Sequence, residues 1–73
     1  MSEIWSGVEV KSTSVLYAFA ILEEIMTFNR VSKYFKADTA VVLVSLGAEE
    51  LVTDETYLAK AKERIKKANK EAK

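Results

Sequence analysis

The chain has 73 residues, 49% hydrophobic and 30% charged with no net charge, a balance that excludes intrinsic disorder and fits a folded domain. It contains no cysteine and no histidine, which removes disulfides, thiol nucleophiles, imidazole bases and the usual zinc ligands. A domain near this size hides only about 60% of the surface its unfolded chain exposes. Self-association is therefore the expected source of further burial.

The zero net charge conceals an asymmetry: residues 60–73 hold seven basic and two acidic side chains, and residues 1–59 carry the balancing acidic surplus. The longest uninterrupted apolar run, residues 15–22, has eight members, against about 20 needed to span a bilayer. Glu3 stands where a signal peptide has its basic start. A soluble, cytoplasmic protein with no membrane partner is expected, with residues 1–73 as one domain.

In chain order, residues 3–11 alternate with period two, which predicts a strand. Ile4, Ser6, Val8 and Val10 form its inner face, and Glu3, Trp5, Gly7, Glu9 and Lys11 its wetter face. Trp5 then either covers a neighbouring edge or contacts a partner. Ser12, Thr13 and Ser14 supply N-cap oxygens for a long helix over residues 14–36. At 100° per residue that helix shows two stripes. One, Val15, Phe19, Leu22 and Met26, covers the first half; the other, Tyr17, Ile21, Ile25, Phe28 and Phe35 with Ser32, runs the whole length.

Asp38 and Thr39 interrupt the pattern, and residues 39–46, TAVVLVSL, are β-branched and apolar without alternation. Such a run predicts a strand buried on both faces, ended by Gly47. Residues 48–54 are acidic, and Thr53 or Asp54 can cap a last helix running to near the terminus. Its seam is Leu58, Ala61, Ile65, Ala68 and Ala72, a spacing like one side of a coiled coil. Lys60, Arg64 and Lys67 flank the seam on one side, and Lys62, Lys66, Lys70 and Lys73 on the other.

The architecture expected is α+β: a small βαβα domain with a short parallel or interchain-completed sheet, a long central helix and a basic C-terminal helix. The alternative is an all-α helical bundle in which residues 39–52 are helical too. A strand, helix, strand, helix order with basic character resembles, in topology, the first part of Alba-type chromatin proteins. Lys11 alone stands where those proteins carry paired lysines, and the two closing strands are missing, so no function is carried over.

A 23-residue helix spans roughly 34 Å, whereas a seven-residue strand reaches roughly 23 Å. Its end should overhang the sheet, presenting Phe28, Val31, Tyr34 and Phe35 among Arg30, Lys33 and Lys36 as a partner-binding surface. The competing arrangement folds the last helix back over that end.

Catalytic candidates are few. Glu23 with Glu24 and Glu49 with Glu50 are adjacent pairs, but helix neighbours point about 100° apart and cannot share a proton. Glu49, Glu50, Asp54 and Glu55 lack the alternating ligands and central glycine of a calcium loop. Gly7 and Gly47 stand alone, so no glycine-rich phosphate loop exists. No catalytic residue, metal or cofactor is expected. The leading reading is a non-catalytic protein–protein interaction or assembly module, acting as a homo-oligomer such as a dimer. The alternative is a small nucleic-acid-binding protein using Lys60, Arg64 and Lys67 of the basic helix, since phosphate binding needs charge.

Overall fold

The computed structural model describes residues 2–71 and begins with a β-hairpin where one strand was expected. Strands β1 (Ser2–Trp5) and β2 (Val8–Lys11) pair antiparallel, with Trp5 opposite Val8 and Ser2 opposite Lys11. Ser6 and Gly7 form the two-residue turn with φ of 53° and 82°, the left-handed pair of a type I′ hairpin. This reversal changes the parity of the faces. Trp5, Val8 and Val10 now share the core side, while Ile4 lies with Glu9 on the outer side, 67% exposed. A continuous strand would have put Ile4 inward and Trp5 outward.

Helix α1 (Ser12–Leu22) stops well short of residue 36. Glu24 adopts a left-handed φ of 63°, its amide donates to the Ile21 carbonyl at 3.0 Å, and the Ile25 amide donates to Ala20 at 2.9 Å. This pair of bonds is a Schellman stop, here without the glycine that normally announces it. The break lets Phe28, in a 3-10 turn at Phe28–Arg30, and Val31 drop into the core. Ser32, which looked like a polar gap in an apolar stripe, caps the next helix by accepting the Tyr34 amide at 3.4 Å.

Helix α2 (Lys33–Ser45) takes up most of the run expected as the second strand. Thr39, Ala40, Val41, Val42 and Leu43 are all fully buried. A helix enclosed on every side shows no amphipathic period, so its sequence reads like that of a doubly covered strand. Gly47, with φ of 76°, does end the element, through a second Schellman stop in which Ala48 donates to Leu43 at 2.8 Å.

Helix α3 (Glu55–Glu71) begins after Asp54, whose Oδ1 accepts the Thr56 amide at 2.9 Å. It folds back along α2, burying Ala61 completely and partly burying Leu58, Ile65 and Ala68; Ala72 and Lys73 lie outside the described residues. At the hairpin turn, a Cβ on Gly7 would meet the Ala68 Cβ at 3.3 Å, so glycine there serves both the turn and the close approach.

The domain is thus α+β, but its order is ββααα. The βαβα arrangement with a parallel sheet is replaced by an antiparallel hairpin, and with it goes the topological resemblance to Alba-type proteins. The hairpin also sets aside the all-α alternative.

Candidate interaction surface

With the central helix broken, no overhang forms, and the residues expected on it separate. Phe28 and Val31 are core residues. Phe35 is half-buried against Tyr17, at 5.6 Å between ring centroids. Tyr34 remains 74% exposed, with Lys33 Nζ over its ring, and Arg30 is exposed as well. Lys36 lies 6.0 Å above Phe28 and 5.8 Å from Tyr57, whose ring meets Phe28 edge-on. The last helix therefore folds back over this region, as in the competing arrangement, and the lysines cover aromatic faces by cation–π contact.

The basic helix is also partly engaged. Arg64 Nη1 donates to Asp38 Oδ1 at 2.9 Å, and Arg64 Nη2 to the Glu9 carbonyl at 3.4 Å. Lys60 and Lys67 stay exposed beside Arg64 and Glu63 in a shallow groove floored by Ala37. Lys62 pairs with Glu49 at 2.8 Å. Of the three lysine and arginine positions expected to meet phosphate, Arg64 is committed to holding the fold.

The acidic residues do not converge. Among the described residues no three acidic side chains are grouped to hold a metal ion. Glu24 and Glu50 instead rim a mainly apolar cleft of about 280 Å3 between the α1 stop and the segment before α3, lined also by Ile21, Met26, Phe28 and Leu51. No helix among the described residues is long and apolar enough to cross a membrane.

Several exposed apolar side chains fall on one element, α1. Its inward face, Ser14, Val15, Ala18 and Ile21, is buried against the rest of the molecule. Its outward face carries Leu16 at 70% exposure, Phe19 at 45% and Leu22 at 37%. Trp5 borders it from the hairpin, edge-on to Phe19 at 6.4 Å. Residues 12–22 contain no charged side chain at all, whereas a solvated helix face is normally polar. Leu16 belongs to neither of the stripes drawn on the longer helix. The signal that marks it is the uncharged run, which leaves apolar side chains on whichever side of the helix the rest of the chain does not cover. No protein-family model, curated protein or solved structure matches the chain.

Proposed function

We propose that the protein is a non-catalytic assembly module that acts as a homo-oligomer, with α1 as its contact face. The observation that carries this reading is the outward face of α1: Leu16, Phe19 and Leu22 exposed on a helix without one charge. Contiguous exposed apolar surface of this kind marks interaction sites, and an aromatic border such as Trp5 beside Phe19 suits an interface. The composition adds support, since the chain offers no imidazole or thiol for catalysis. The face has moved from the far end of the expected long helix to its first half, while the kind of function remains the same.

Sedimentation equilibrium tests the reading directly. The wild-type chain is expected to dimerise in the micromolar range. Leu16→Glu should weaken association by at least about tenfold with its circular dichroism unchanged, because Leu16 is 70% exposed and outside the core. A wild-type chain that stays monomeric to the highest soluble concentration removes the proposal.

A further inference from the structure

The outward face of α1 has a symmetry that specifies how a second copy would sit on it. Ser12, Leu16, Phe19 and Glu23 follow one another at spacings of four, three and four residues, the rhythm of a helix–helix seam. Leu16 and Phe19 occupy the middle; Ser12 lies at the first helical position and Glu23 at the C-cap. Turned end for end about a two-fold axis, this seam matches itself. Leu16 then meets Phe19 of the partner subunit, and Ser12 meets Glu23 of the partner subunit.

Charge favours that orientation over the parallel one. Asp38 Oδ2 accepts the amide of the N-cap residue Lys11 at 3.0 Å, but the α1 N-terminus has no side-chain cap hydrogen bond and no acid in its own first turn, so its remaining amides and dipole still present partial positive charge. The far end carries Glu23 and Glu24, both exposed. Antiparallel pairing sets each acidic end against the other copy's uncapped amides and Lys11, whereas parallel pairing stacks acid on acid. Resting on the assembly reading above, we infer that two copies dock antiparallel through α1, with Leu16 against Phe19 at the centre and Glu23 capping the partner's helix N-terminus. A two-fold contact of this sort is isologous and closes at the dimer.

The absence of native cysteine makes cross-linking a clean test. Ser12 and Glu23 lie eleven positions apart, roughly 16 Å along a helix, far beyond the Cα separation of about 7 Å that a disulfide tolerates. Chains bearing Ser12→Cys alone and Glu23→Cys alone, mixed with oxidised glutathione, should yield a heterodimeric disulfide in high proportion. Each variant by itself should remain largely uncross-linked. Glu23→Gln should loosen the wild-type dimer by about two- to fivefold, the scale of a helix-terminal charge, and the loss should shrink at high salt.

Self-cross-linking of each single variant with none in the mixture, or tighter association on Glu23→Gln, overturns the antiparallel arrangement. Sedimentation of the same samples separates the two ideas. A dimer with the wrong cross-linking pattern refutes the orientation alone, and a monomer refutes both.

Discussion

Ser14 shows how tightly α1 is set against α2. Its backbone carbonyl accepts a hydrogen bond from Thr39 Oγ1 at 3.4 Å, and both residues are fully buried. The Ser14 hydroxyl, however, is the buried side-chain polar atom that finds no partner among the described residues. Burying such a group costs free energy that a methyl group would not. Ser14→Ala should therefore stabilise the protein by about 1 kcal/mol, helped by the better helix propensity of alanine. Chemical denaturation checks this, and a loss of stability would show that the hydroxyl has a role the geometry does not reveal. From sequence, Ser14 reads as an N-cap, because its neighbours Ser12 and Thr13 advertise a helix start. The helix begins two residues earlier, and Ser14 turns inward instead. Small size, which lets two helices approach closely, is what this position requires.

Among the elements, Asp38 does most to fix relative position. Oδ2 accepts the Lys11 amide at 3.0 Å where β2 passes into α1, and Oδ1 accepts from Arg64 of α3 at 2.9 Å. One carboxylate on α2 thus ties hairpin, α1 and α3 together, and its side chain is only 13% exposed. Asp38→Ala should cost about 1–2 kcal/mol, the range for charge-assisted bonds with partial solvent screening. Asp38→Asn keeps an acceptor for Lys11 and should lose roughly half as much. Equal losses for the two variants in urea melts would assign the whole effect to the Arg64 pair.

The same elements show what was legible beforehand. Residues 8–11 as strand and α3 with its Asp54 cap follow from local rules, alternation in one case and a cap before an acidic first turn in the other. The hairpin is not legible in the sequence because Ser6 takes a left-handed conformation that serine seldom adopts, and the α1 stop is not because Glu24 does the same. In both places tertiary packing imposes what local preference resists. Residues 39–46 read as strand for a different reason: complete burial of residues 39–43 erases the period that separates helix from strand. The candidate face was only half legible. Phe19 and Leu22 stood in a stripe, yet Leu16 did not, since its outward position depends on which side α2 and the hairpin cover.

For the whole molecule, the charge asymmetry resolves into an internal complement. The basic α3 lies back on the acidic body through Arg64 with Asp38 and Lys62 with Glu49. Lys62 with Glu49 is largely exposed and contributes little, whereas the less exposed Asp38 pair contributes more. A core of valines and alanines with Ile21, Leu43 and a single phenylalanine, Phe28, is small, and the proposed association over Leu16 and Phe19 would add burial the monomer lacks. Binding that occurs only in the folded state raises stability with concentration. The wild-type melting temperature should therefore climb by about 3–6 °C per tenfold increase in protein concentration, as expected for a domain of this length. Leu16→Glu should melt at one temperature throughout, close to that of the dilute wild type. A flat wild-type series measured where sedimentation shows dimer would mean that association and folding are uncoupled, and that the α1 face is not what the second copy covers.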